Sequence, residues 1–399
     1  MTQVVIVGSG PTGVTLARCL GQQGIPVILI EAAKDLRRLF RGEALMPSGL
    51  EALAQMGLTE ILTTVPHRPL TAWEFVLDQQ SFFRVAEPMG QPVPCTLVSQ
   101  PPFLAAVRQE ALSYPSVSVL SGIPVRDLIW QQGRVAGVTL ADGRGIPADL
   151  VIGADGRHSL VRERAQLSLI TDPQPIEVYW FRLPLHPAWE RENVFLTVLG
   201  GRQGFAVFRS AEGETLHLAW IHPAQAVPPD RDYNWGDVLA AISPPWFADH
   251  CRTSPIEPPQ RLVPLVGRCP QWHRPGLLLL GDAAHPMSPV RAQGINMALR
   301  DVIVTVNRLL PYLKDHPHPE RWEPVLSQIQ AERDPEIQQI QRLQAQELAQ
   351  GERLRRSPWL RYLLGQSPPL LRQMIQQHWQ ARQQKLRTGT APVLLMPRV

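Results

Sequence analysis

Nothing in the 399 residues of this chain forms an apolar run of the roughly 18 residues that a membrane span needs. The first strand-like run starts almost at Met1, leaving no room for a signal peptide, so the expected compartment is the cytoplasm. Cysteine is scarce: Cys19, Cys95, Cys251 and Cys269 stand far apart, with no C-x-x-C pair. That scatter argues against a metal centre, a disulfide scaffold and a redox-active dithiol, and leaves buried structural thiols as the reading. Internal repeats, low-complexity linkers and nucleic-acid motifs are likewise missing. With 44% hydrophobic and 19% charged residues, the chain is globular rather than disordered.

Proline is abundant instead. Forty of them imply many fixed turns, in a chain long enough for two or three structural units. Charge is uneven: from Gln341 onward ten Lys/Arg stand against Glu347 and Glu352, a net +8, leaving −4 for the rest of a chain of formal charge +4. A solvated helical face is the plain reading of this segment, with an anionic partner or peripheral membrane contact as the alternative.

Three stretches carry chemistry. Gln3–Val7 is a short β-branched run that meets Gly8-Ser9-Gly10-Pro11-Thr12-Gly13, then a helical pattern, then the strand Ile25–Ile30 ending at Glu31. Strand, G-x-G-x-x-G, helix, strand and acid in this order predict a dinucleotide site. Gly8 makes the turn, Gly10 admits a pyrophosphate, Gly13 lets helix and strand approach, and Glu31 accepts hydrogen bonds from ribose hydroxyls. The pattern does not separate FAD from a nicotinamide cofactor. The second stretch is Gly153-Ala154-Asp155-Gly156-Arg157-His158-Ser159 behind a buried strand. The third, LLLLGDAAHPMSPVRAQGIN over 277–296, runs a strand into Gly281-Asp282, a proline-stiffened loop, and a helix beginning near Ile295. Free amides at that helix start suit an anionic or electron-rich ligand. Elsewhere, 117–152 reads as a run of hairpins and 171–264 as strand-like and aromatic-rich, with helices returning after Gly294. Gly200–Gly204 runs into a strand and reads as a hairpin turn, so the chain offers no second dinucleotide unit. Trp73, Phe75, Tyr179, Phe181, Phe205 and Trp220 suggest an apolar pocket wall, although alternation must turn about half of them into the core.

This combination resembles the class A flavoprotein monooxygenases, the p-hydroxybenzoate hydroxylase-like family, most closely up to about residue 165 and again from Trp272 to Asn307. The resemblance implies an α/β fold (α+β overall): a Rossmann-like FAD-binding domain from 1–70, 98–172 and 266–340, a mixed-sheet substrate domain from 71–97 and 173–265, and a helical C-terminal segment over 341–399. It implies that Gly8, Gly10, Pro11, Thr12, Gly13 and Glu31 hold the ADP half of FAD, with Arg41 and Gln100 lining the cofactor. Asp155 belongs to a motif tied to both FAD and NAD(P)H. Gly281 and Asp282 meet the ribityl chain, Pro289 lies beside the isoalloxazine ring, and the amides of Gln293, Gly294, Ile295 and Asn296 face flavin N1 and O2. NAD(P)H is then a transient co-substrate, and a C4a-hydroperoxide delivers oxygen to an apolar or aromatic small molecule. His158 and His285 read as structural or cofactor-contacting, and no catalytic acid or base is assigned. One departure stands out: where the family commonly has Gly-Gln-Gly, this chain has Ala292-Gln293-Gly294 after Arg291. A positive φ at 292 would strain the alanine by roughly 1 kcal/mol or more. The alternatives are a halogenase or prenyl reductase of the same fold, or a flavin-binding protein without catalysis; the halogenase W-x-W-x-I-P wording is missing, and Trp180-Phe181-Arg182-Leu183-Pro184 only echoes it.

Overall fold

A computed structural model describes residues 2–34, 44–226, 233–315 and 319–396. Arg41 lies outside the described residues. Val4–Val7 sits inside a six-stranded sheet, between Leu150–Gly153 and Val27–Glu31. Leu277–Leu279 extends it on one side and Val117–Ser121 on the other, all parallel, with His273–Arg274 as an antiparallel edge. The strands Val4–Val7, Leu150–Gly153 and Leu277–Leu279 are buried along their whole length. That accounts for their unbroken apolar wording: helices cover both faces of a parallel sheet. The helix Pro11–Gly21 lies between Gln100–Leu112 and Gln293–Asp315.

Val117–Ser121 corrects the expected run of hairpins. It pairs in parallel with Val27–Glu31, and the antiparallel strands begin only at Val125. As a sheet edge it is only part-buried, with Ser118 and Ser121 exposed, so it lacks the unbroken apolar wording of the inner parallel strands.

A second sheet of seven strands takes Ala72–Leu77 and Gln80–Ala86 from early in the chain and five strands between Ile176 and Leu262. Only Val194–Gly200 beside Ala72–Leu77 is parallel. The turn at Gly200–Gln203 is the hairpin that the glycines suggested. Besides the short helix Pro187–Arg191, the strand-like reading of 171–264 overlooked two helices, Trp235–Ile242 and Pro245–Thr253. Aromatic wording hid them, and a polar start marks the first: Asn234 Oδ1 accepts from the Asp237 amide at 3.2 Å. Both helices cover the outer face of this sheet.

The chain closes with three helices, Glu323–Arg356, Pro358–Gly365 and Pro369–Thr388. The solvated-face reading fails for part of this segment, because Arg355, Arg361 and Arg387 are buried. Arg387 grips Glu87 with two hydrogen bonds of 2.6 Å, and Arg361 reaches Asp78 at 2.9 Å and the Gly201 carbonyl at 2.7 Å. Long side chains from these helices are thus tied into the seven-stranded sheet. Among the described residues, no helix is long and apolar enough to cross a membrane. All four cysteines are buried and outside any disulfide, and burial pushes the Cys251 and Cys269 thiols up to about 11.

Candidate active site

A cavity of about 950 Å³ is lined by residues of both sheets and of the C-terminal helices. Its first end is built from backbone. Gly8 has φ +101°, and a Cβ there would lie 2.4 Å from the Ala154 carbonyl oxygen; at Gly13 it would lie 1.9 Å from that of Gly8. These two glycines lock turn, helix and neighbouring strand together. At Gly10 a Cβ would meet nothing within 4 Å, so the turn is open on the side where a phosphate would approach. Gly10, Pro11, Thr12, Gln100 and Asp155 line this end with Gly8, whereas Gly13 stands behind it. Glu31 lies at the strand end, with one carboxylate oxygen accepting from the Ser9 amide at 2.8 Å and the other from Ala33 at 3.0 Å. These two amide contacts fix the carboxylate at the strand end, where an acid suits ribose hydroxyls. A sterically open phosphate-side turn, an anchored acid and the glycine contacts together fit an adenosine diphosphate group.

Gly281-Asp282 follows the strand Leu277–Leu279 as a 3₁₀ turn, and Asp282 faces the cavity. Behind it, buried Asp301 accepts from the Gly281 amide at 3.2 Å and from His285 Nε2 at 2.7 Å, while its other oxygen takes Arg333 at 2.7 Å. Burial pushes the Asp301 carboxyl up, but His285 and Arg333 outweigh it and hold the group below the usual carboxylate range. His285 is therefore structural. His158 is exposed. Asp155 has a different task from Asp282. Its oxygens take the Ser159 hydroxyl at 2.5 Å and the Val161 amide at 3.0 Å, starting the helix Leu160–Arg164, and burial raises its pKa. Arg162 joins the middle and late motifs, donating to the Ala283 and Arg157 carbonyls, each at 2.9 Å. Sequence reasoning assigned Arg162 no role.

The loop after Pro289 enters the helix at Gln293, two residues earlier than expected. Arg291 and Ala292 both lie in the left-handed region, with φ of +57° and +50°. The strain anticipated for Ala292 is present, and Arg291 shares it. Pro289, Gly294 and Ile295 line the cavity. The Gln293 and Asn296 side chains do not. Asn296 ties the helix to the chain before it, accepting from the Met46 amide at 2.8 Å and donating to the Ala44 and Ala292 carbonyls. Gly49 makes room: a Cβ there would stand 2.1 Å from Asn296 Oδ1. Gln293 donates to the Arg291 and Leu386 carbonyls, both at 2.9 Å.

The second end of the cavity is built from side chains on the seven-stranded sheet. One cross-strand row reads Trp180, Ala219, Ala206, Thr197, Phe75, Phe83, and all six face the cavity. Rings at both margins and small side chains in the middle make a trough with an apolar floor. Phe195, Phe208 and Trp73 add to its wall. Of the six aromatic candidates, Trp73 and Phe75 are on this face, while Tyr179, Phe181, Phe205 and Trp220 pack into the core behind it. Trp180, Phe195 and Phe208 were overlooked, although strand alternation from Tyr179 and Phe181 placed Trp180 opposite them.

The C-terminal helices close the trough. Trp379 faces it, and its buried indole N–H has no hydrogen-bond partner among the described residues. The Arg291 guanidinium lies 4.9 Å from the Trp73 ring centre and 5.3 Å from that of Trp379, and it pairs with Glu347 at 2.5 Å. Arg382 also pairs with Glu347. Burial raises the Glu347 carboxyl, but the two arginines outweigh it and hold the group below its ordinary range.

Residues 1–343 match the FAD binding domain family. The chain is 29% identical over 367 residues to a 6-methylpretetramide 4-monooxygenase from Streptomyces rimosus, covering 86% of this chain and 82% of that one. It is 28% identical over 362 residues to a probable NADH-specific resorcinol 4-hydroxylase from Rhodococcus jostii, covering 84% and 63%. Among solved structures, Pseudomonas aeruginosa PqsL in complex with 2-aminobenzoylacetate has the same fold, with a TM-score of 0.77 at 21% identity, covering 89% of this chain and 98% of that one.

Proposed function

The chain belongs to the FAD binding domain family, as a class A FAD-dependent monooxygenase, and on that premise we propose how its own residues share the work. Gly8, Gly10, Pro11, Thr12, Gly13 and Glu31 hold the ADP half of FAD, with Gln100 and Asp155 beside them. Arg41 joins them in this reading from outside the described residues. Gly281 and Asp282 take the ribityl chain, and Pro289 with the backbone of Gln293 to Asn296 takes the flavin ring. Amides at a helix start stabilise negative charge there without reorganising. The segments 1–70, 98–172 and 266–340 act as the cofactor domain and 71–97 with 173–265 as the substrate domain, while 341–399 closes over both.

The chemistry supplied by bound FAD is acceptance of hydride from NAD(P)H and transfer of one atom of O2 to the substrate. The protein positions the substrate and excludes water. The substrate is a flat, largely apolar aromatic small molecule lying over Ala219 and Ala206, edged by Trp180, Phe75 and Phe83. The Trp379 indole N–H offers it one hydrogen bond. The cross-strand row carries this reading, because two alanines and a threonine between rings leave room over the sheet for a flat apolar group. The cytoplasm is the compartment, with the basic C-terminal segment as the point of contact with membranes. The test is NADH and NADPH oxidation by the yellow purified protein, with and without a panel of phenols and anilines, alongside product analysis. Hydroxylated product with accelerated oxidation supports the reading; oxidation that no aromatic accelerates counts against it.

A further inference from the structure

The last two described helices present large apolar side chains to solvent. On Pro358–Gly365, Trp359, Tyr362 and Leu363 share one face by helical spacing, and Trp359 is 69% exposed. On Pro369–Thr388, Leu370, Leu371 and Met374 are exposed, Leu370 to 71%. Globular chains expose such residues singly, whereas six within sixteen residues mark an interaction surface. The same helices are firmly seated on their other side. Leu364 and Ile375 pack on a cluster of Leu77, Phe82 and Leu199, and buried Arg361 is bonded to Asp78 and Gly201. The outer face is therefore a finished surface rather than a loose core.

Charge selects the occupant. From Arg353 to Val399 the chain carries nine Lys/Arg and not one Asp or Glu; Arg355, Arg361, Arg382 and Arg387 are committed to ion pairs with Glu352, Asp78, Glu347 and Glu87. Lys385 is exposed on the last of these helices, and Arg353 and Arg356, the latter also bonded to Glu352, are exposed at the end of the helix Glu323–Arg356 that leads into them. A second copy would set this positive surface against itself. Tryptophan and tyrosine with leucine and methionine under a basic rim match the boundary between lipid headgroups and acyl chains. We propose that this helical pair docks the enzyme on an anionic lipid surface, with Trp359 and Leu370 entering the bilayer boundary. Leu364 and Ile375 on the inner side line the cavity, so docking brings the wall of the substrate trough against the membrane. The substrate drawn through that wall is a lipophilic aromatic. This last step rests on the substrate reading above; the docking itself does not.

The experiment is co-sedimentation of the FAD-loaded full chain with two vesicle types, phosphatidylcholine alone and an equimolar mixture with phosphatidylglycerol. Binding to the mixed vesicles only is expected, weakening as salt rises. Trp359→Gln with Leu370→Gln should lower binding at least about tenfold while flavin content is unchanged. Arg356→Gln with Lys385→Gln should lower it about fivefold per charge removed. Equal binding to both vesicle types, or none to either, overturns the proposal. So does a concentration-dependent dimer, seen by sedimentation equilibrium, that the Trp359/Leu370 variant abolishes. Flavin content and NAD(P)H oxidation on a water-soluble phenol, measured without vesicles, report on the monooxygenase reading separately.

Discussion

The two ends of the cavity are made from different materials. At the cofactor end, contacts come from backbone: Gly8, Gly10 and Gly13 set what approaches, and Asp301 and Asn296 hold the loops from behind. At the proposed substrate end, side chains on a mostly antiparallel sheet define the space, with Ala206 and Ala219 as its floor and rings as its edges. A backbone-built site tolerates almost no change at Gly8 and Gly13, where a Cβ has nowhere to go. A side-chain-built site can be resculpted while its sheet survives.

The largest effect should therefore follow Gly13→Ala. Its Cβ would collide with the Gly8 carbonyl at 1.9 Å, so the protein should lose its flavin and unfold more readily, by more than about 2 kcal/mol. Wild-type flavin content and melting temperature in that variant would erase the contrast between the two ends. Next comes Asp282→Ala, expected to weaken FAD binding by about 1.5–3 kcal/mol if the ribityl hydrogen bond is charge-assisted. Fluorescence titration of the apoprotein reads it, and unchanged affinity would remove Asp282 from the site.

Acid should act on the seam between the ends. Glu347 is held below its usual range by Arg291 and Arg382, so its contribution to stability is present above the unfolded carboxyl value near 4.3 and is lost as pH falls through the lower folded value. Arg291 and Glu347 join the cofactor loop to the C-terminal helices, so hydrogen exchange in 341–388 should rise at acid pH before it does in Val4–Val7. Glu347→Gln should reproduce that loosening at neutral pH; simultaneous opening of both regions would argue against a seam. The smallest effect belongs to Ala292→Gly, which relieves φ +50° and should leave stability unchanged or raise it by up to about 1 kcal/mol in thermal unfolding.

The same contrast explains what the sequence made legible. G-x-G-x-x-G, Glu31 and Asp282 were readable because a backbone-built site demands fixed spacing within one stretch. The trough was not, since its row crosses six strands from Phe75 to Ala219 and depends on register that no local pattern encodes. Gly49 and Arg162 escaped for a related reason: each serves a partner more than a hundred residues away, Asn296 and Ala283. The C-terminal arginines looked like a solvated face because burial by ion pairing with Glu87 or Asp78 leaves no apolar signature. The helices at 235–253 were hidden because aromatic-rich sequence suits a strand as well as a buried helix face.

The central claim is that an aromatic substrate lies in the alanine trough against the flavin. Ala206→Leu fills that trough while leaving every proposed FAD contact in place. The direct measurement is the perturbation of the bound flavin spectrum as a phenol that accelerates NAD(P)H oxidation in the wild type is titrated in. The account predicts full flavin content in Ala206→Leu with the phenol-induced change lost or shifted at least about tenfold to higher concentration. A variant that keeps both its flavin and the wild-type titration curve would contradict it.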